Sequence, residues 1–280
     1  TVPLKANQAN TLTVTATDPA SNVSPTVTRS VLQDSLAPAA PTVPQPPSPT
    51  NASKTTLLVT AEVGSAISIT GGNADVLGVP ATGSPQSIDV LLTANASNTL
   101  QVTATDPAGN VSAASTVTVL EDNMAPAAPV VSVPPAFTNA PSVVLIIDAE
   151  SGSVVTVTGG LETVTGTPAS PIGLTVLLNQ NTLNTLVVTA TDAAGNVSAS
   201  VIRTVTHDNV SPAPPIVFTS DTLTAATSVS LSLQAEIGSA VAVATGAGTV
   251  TALASGGTQS VVVPLDNGTN ILLVTATDAA

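Results

Sequence analysis

The sequence contains no cysteine, tryptophan or tyrosine, only two phenylalanines and a single histidine. Without cysteine there is neither a disulfide framework nor a thiolate metal site. Without aromatic platforms there is little to stack against sugar rings, which argues against a carbohydrate-binding module. One histidine allows a Ser-His-Asp nucleophile at most once, and no serine sits in a strand–turn–helix elbow, so the chain reads as non-catalytic. Cations are also scarce. Four Lys and Arg stand against 17 Asp and Glu, a formal charge of −13, and no basic cluster is available to neutralise phosphates, which excludes nucleic acid as a partner. Apolar runs such as Val143 to Ile147 fall far short of the roughly 18 residues of a spanning helix, and an acidic surface repels anionic membranes, so direct membrane insertion is not expected.

What remains is an aliphatic chain, 43% hydrophobic and built from Val, Leu, Ile and Ala among Thr and Ser. No stretch keeps a 3.6-residue apolar spacing. Period two dominates instead, as in Leu100, Val102 and Ala104 facing one way with Thr99, Gln101 and Thr103 facing the other, the pattern of half-buried strands. Inward sets recur as Leu57, Val59, Ala61, then Leu145, Ile147, Ala149, then Leu231, Leu233, Ala235. The chain is all-β. One unit predicts strands near 41–45, 55–61, 66–70, 74–79, 86–92, 98–105 and 114–120, the seven short strands of a sandwich.

Three phrases recur in one phase. Asp18-Pro-Ala-Ser-Asn-Val-Ser returns from Asp106, from Asp192 and, cut short, at Asp278, steps of 88, 86 and 86 residues. Asp34-Ser-Leu-Ala-Pro-Ala-Ala-Pro returns from Asp122 and Asp208, and Glu62-Val-Gly-Ser from Glu150 and Glu236, with steps of 88 and 86. The unit is therefore about 87 residues, and tandem immunoglobulin-like sandwiches are expected: 37–122, 123–208 and 209–280, with 1–36 the C-terminal part of an earlier repeat. The phrase opening at Asn10 and the phrase opening at Asn270 share a phase, so both ends read as interruptions of a longer array. On that reading 209–280 lacks its last strand, and the strand follows in sequence rather than coming from a neighbouring molecule.

These phrases resemble the Ig-like repeats of large bacterial surface adhesins and biofilm-associated proteins, which share V-T-A-T-D-x-A-G-N-V-S followed by a D-x-x-A-P-x-x-P junction. The resemblance covers the whole chain. Ser21 departs from the turn glycine seen at Gly109 and Gly195, and Ala193 from the proline at Pro19 and Pro107. It implies an extracellular or cell-surface extender that holds a binding tip away from the cell, partnered by its neighbouring repeats. The competing reading is a subunit of an extracellular filament or sheath, partnered by other copies of itself.

Ten of the 17 acids occupy the repeated positions. Sandwich topology brings the junction, the turn after the second strand and the last hairpin turn to one pole, so Asp34, Glu62 and Asp106 should converge. The same holds for Asp122, Glu150 and Asp192, and for Asp208, Glu236 and Asp278. A hard cation with oxygen ligands, Ca²⁺ first, suits such clusters and would stiffen the junctions. Turn capping by the Asp residues with Glu62 solvated is the alternative, and the sequence leaves both open. The junctions Ala37–Pro41, Ala125–Pro129 and Ser211–Pro215 are proline-dense and read as semi-rigid spacers. His207 reads as an isolated surface residue, Gly71-Gly72 and Gly159-Gly160 as turns, and Phe137 and Phe218 as core plugs. Seven Asn-X-Ser/Thr sequons, at Asn22, Asn51, Asn95, Asn110, Asn196, Asn209 and Asn267, fit chance in a chain rich in Asn, Ser and Thr.

Overall fold

The computed structural model describes residues 1–167, 171–218 and 223–280, and every regular element among them is a β-strand. The chain forms two compact units, Thr1–Ala125 with Asp192–Asn196, and Pro126–Thr191 with Val197–Ala280.

The first unit opens with an antiparallel ribbon of β1 (Gln8–Val14) and β2 (Val27–Gln33), in which Asn10 faces Val31. Among the described residues no second sheet covers it, and Val14, Val27 and Leu32 stay exposed. A sandwich follows from β3 (Lys54–Val59), β4 (Ala66–Thr70), β5 (Val76–Pro80), β6 (Gln86–Leu91), β7 (Ala96–Thr105) and β8 (Ser115–Glu121). β3 pairs β6, and the other sheet runs β5-β4-β7-β8. Period two does the folding. In β7 the residues Asn98, Leu100, Val102 and Ala104 are buried while Thr99 and Gln101 are exposed, and Leu57, Val59, Ile67, Ile69, Val90 and Val119 complete the core. Each aliphatic side chain so buried contributes roughly 1.5–3 kcal/mol.

The expected strand at 41–45 does not form a ladder. The stretch 41–50 carries Pro41, Pro44, Pro46, Pro47 and Pro49, none with an N–H to donate. It makes isolated bridges instead, antiparallel at Thr42–Thr60 and parallel at Thr50–Glu121.

The second unit repeats the plan with β9 (Val130–Val131), β10 (Phe137–Thr138), β11 (Ser142–Asp148), β12 (Val154–Thr158), β13 (Val164–Gly166), β14 (Ile172–Leu177), β15 (Thr182–Thr191) and β16 (Val201–His207). Its sheets run β14-β11-β9 and β10-β16-β15-β12-β13, with β10 parallel to β16. Then come β17 (Ile216–Val217), β18 (Ser228–Gln234), β19 (Ala240–Thr245), β20 (Gly248–Leu253), β21 (Gln259–Pro264) and β22 (Leu273–Thr277), in sheets β17-β18-β21 and β20-β19-β22. Separate apolar clusters centre on Leu145, Ile147 and Leu186, and on Leu233, Val243 and Val263. With β22 at a sheet edge, Leu272, Val274 and Ala276 are only partly buried, beside a cleft of about 810 Å³.

Both phenylalanines correct the sequence reading: Phe137 is 49% exposed and Phe218 54%. Phe137 lies opposite Thr206, between the inward Val205 and His207, and Phe218 follows Val217, which pairs with the inward Leu233. Pleating therefore turns both rings outward. The diglycine turns are as expected. Gly71 and Gly159 have φ of 93°, and a Cβ there would lie 2.1 and 1.9 Å from the carbonyl oxygens of Thr99 and Thr185.

Candidate functional site

The repeated phrases build three linked main-chain devices. The first is the turn after β7. Both carboxylate oxygens of Asp106 are taken: Asn110 donates its backbone N–H to Oδ1 at 2.9 Å and its side-chain amide to Oδ2 at 2.8 Å. Gly109 supplies the positive φ, 91°. Asp192 and Asn196 reproduce this at 2.8 and 2.8 Å, and Asp18 and Asn22 at 2.9 and 2.9 Å, with Ser21 taking φ of 68° in place of glycine. The amide of Asn110 holds the carboxyl of Asp106 below the usual carboxylate range, and Asn22 does the same for Asp18. Burial pushes Asp192 up, but the side-chain and backbone donors of Asn196 outweigh it and the net direction is down. Behind the turns of Asp106 and Asp192 a buried serine hydroxyl, Ser112 or Ser198, accepts from the N–H of Ala104 or Ala190 at 3.0 and 2.9 Å.

The second device joins this turn to the junction. The amide of Asn110 also donates to the backbone carbonyl of Asp34 at 3.3 Å, and that of Asn196 to the carbonyl of Asp122 at 2.8 Å. The junction aspartates use their own carboxylates as Asx caps: Asp34, Asp122 and Asp208 accept from the N–H of Leu36, Met124 and Val210 at 3.0, 3.1 and 3.0 Å. Asp278 accepts from Ala280 at 3.1 Å.

The third device is a corner that the sequence reading did not identify. Asn98 sits buried in β7, accepts from the Thr93 N–H at 2.7 Å, and donates to the carbonyls of Thr93 and Ala96 at 3.1 and 3.0 Å. Asn10, Asn184 and Asn270 close the same loop with Lys5, Asn179 and Asp266. Three residues before, Asn7, Asn95 and Asn181 take φ of 54°, 52° and 52°. Each donates its N–H to the side chain that ends the following strand: Gln33 Oε1 at 2.6 Å, Glu121 Oε2 at 2.5 Å, His207 Nδ1 at 3.0 Å. Each then accepts from the start of the junction, through Ser35, Asn123 or Asn209 N–H, at 2.7, 3.0 and 2.9 Å. His207 is therefore no isolated surface residue. It is 1% exposed, and its counterparts are Gln33 and Glu121. The recurring asparagines were visible in phase; the acceptor was hidden because Gln, Glu and His share a hydrogen-bonding role and no letter.

The glutamates of the third phrase do something plainer. The carbonyls of Glu62, Glu150 and Glu236 accept from the N–H and hydroxyl of the buried Ser65, Ser153 and Ser239. The glycine between them takes a positive φ at Gly64, Gly152 and Gly238. The carboxylates themselves find no hydrogen-bond or ion-pair partner among the described residues. Among the described residues no group of three or more His, Cys, Asp or Glu is arranged to hold a metal ion. Asn110 does bring the turn of Asp106 to Asp34, but Glu62 does not join them. N–H groups engage both carboxylate oxygens of Asp106 and Asp192, but only Oδ1 of Asp34, Asp122 and Asp208.

No protein-family model matches the chain, and no curated protein matches it. Among solved structures, the fibronectin(III)-like modules of Clostridium thermocellum CbhA match 60% of this chain and 94% of their own, at 16% identity and a TM-score of 0.42. An I-band fragment of titin matches 87% of this chain and 99% of its own, at 13% identity and a TM-score of 0.38. The FN1–FN3 domains of chicken CNTN1 match 86% and 93%, at 14% identity and a TM-score of 0.33. These are likenesses of sandwich fold and say nothing of activity.

Proposed function

We propose that this chain is a non-catalytic extender segment of a secreted or cell-surface protein, an adhesin or biofilm-matrix component whose Ig-like repeats hold a binding part away from its anchor. One observation carries the reading: the residues repeated most strictly are spent on holding main chain to main chain at corners, turns and junctions. Asp34, Asp106, Asp122 and Asp192 cap backbone N–H groups, and Asn110 and Asn196 grip junction carbonyls. That is the economy of a scaffold and not of a ligand site. Acidic, hydroxyl-rich outer faces keep such a segment soluble and unattached along its length. The proline-dense junctions limit bending between repeats. Calcium has no part in this reading.

Pulling the 280-residue chain between its ends in a force spectrometer tests it. An extender unfolds repeat by repeat, and about 87 residues at ~3.6 Å each give increments of roughly 30 nm. A single rupture of the whole chain, or extension without peaks, overturns the proposal. Ordered fibres grown from the purified chain alone would favour a filament subunit instead.

A further inference from the structure

The corner bond is made three times with one donor and three different acceptors. The donor is always the N–H of an asparagine held at positive φ, and the acceptor is always the last side chain before the junction aspartate. Glu121 accepts at 2.5 Å, Gln33 at 2.6 Å and His207 at 3.0 Å. The two oxygen acceptors sit closer than the ring nitrogen. A carboxyl group and an amide present oxygens with two lone pairs each, whereas an imidazole presents one ring nitrogen with one lone pair. The bond to His207 Nδ1 also fixes the ring tautomer, with the proton on Nε2.

We infer that this position grades the firmness with which each repeat holds its exit to the next junction, and that His207 makes the exit of 123–208 open before that of 37–122. The same asparagine that donates to the graded acceptor also receives the first junction N–H, from Ser35, Asn123 or Asn209. A weakened corner bond therefore loosens the junction start through a shared side chain. Among the described residues, those packed around His207 bring no second charged partner to the ring. Its strand neighbours, Thr138 on β10 and Thr182 on β15, are uncharged. The facing sheet turns Val143, Leu145, Ile147, Leu174 and Val176 inward. The carboxylate of Asp208 is engaged with Val210, and Arg203 on the same strand with the carbonyls of Val131 and Ser132. Asn196 also holds the carbonyl of Asp122, so the part played by the acceptor itself is read from substitutions at positions 121 and 207.

Residue-resolved amide exchange on the 280-residue protein at pH 8 tests it. Protection of Asn181 and Asn209 should fall below that of Asn95 and Asn123, by on the order of tenfold for about one hydrogen bond's net worth. His207→Gln, which installs the residue found at position 33, should raise Asn181 and Asn209 toward the Asn95 level. Glu121→His should lower Asn95 and Asn123 and leave Asn181 unchanged. Equal protection at the two corners, or variants whose protection ignores the acceptor, overturns the inference. Imidazole ¹⁵N shifts of the unaltered protein add a check independent of any substitution: a proton found on Nδ1 refutes the bond.

Discussion

The buried asparagine of the corner allows a prediction with an internal control. Replacing Asn98 by alanine removes its bond from Thr93 N–H and its bonds to the Thr93 and Ala96 carbonyls. The site is 2% exposed, so water cannot readily replace them. At a net 0.5–1.5 kcal/mol per bond, with more where a group is orphaned, the loss is about 3 kcal/mol. For a unit of this size each kcal/mol moves the melting temperature by about 4–8 °C, so a drop on the order of 15 °C is expected. Asn10 makes the same three bonds at a solvent-exposed corner of the β1–β2 ribbon. Asn10→Ala should therefore cost well under about 1 kcal/mol, since water substitutes for the lost partners. With no tryptophan or tyrosine as reporter, the assay is far-UV circular dichroism with peptide-resolved hydrogen exchange over 86–121. Should Asn98→Ala and Asn10→Ala prove equally mild, the corner is not held by this side chain and the reasoning fails.

Glycine substitutions should separate two kinds of turn. Gly71→Ala places a Cβ against the Thr99 carbonyl oxygen and should cost several kcal/mol, of order 3, read as loss of the first sandwich's melting transition. Gly109→Ser meets no atom within 4 Å, and Ser21 already adopts that conformation, so only the left-handed penalty of about 1–2 kcal/mol is expected. Because Asp106 and Asp192 titrate below their unfolded value in the native turns, their stabilisation is complete above the ordinary carboxylate range and disappears as pH falls through the depressed native values. Asp192→Asn should accordingly flatten the acid limb of the stability curve, and an unchanged limb would count against the capping geometry. Millimolar calcium should leave the melting temperature within about 1 °C of its value in chelator, whereas a site occupied well above its dissociation constant would raise it clearly.

Alternation of Leu100, Val102 and Ala104 and the phase of three phrases made the sandwich and the repeat legible before any coordinates, because period and phase survive when individual residues change. Side-chain direction at strand ends was not legible. Phe137 and Phe218 were placed inward on hydrophobicity, but proline breaks the first strand and pleating sets the face. The acids allow two readings in the sequence, a cation site and turn caps, since topology does bring Asp34 and the Asp106 turn together. The caps at Asp106 and Asp192 take backbone N–H groups and the amides of Asn110 and Asn196. His207 was misread because its equivalents are related by a lone pair and not by identity.

The bond from Asn110 to the carbonyl of Asp34 and the bond from Asn196 to the carbonyl of Asp122 use identical partners. An acceptor belonging to the peptide backbone is present whichever residue precedes it, so any such unit can follow any other and find its grip. Gene rearrangements that add or remove whole units would then leave no mismatched seam. Units can then be gained or lost without a single compensating substitution.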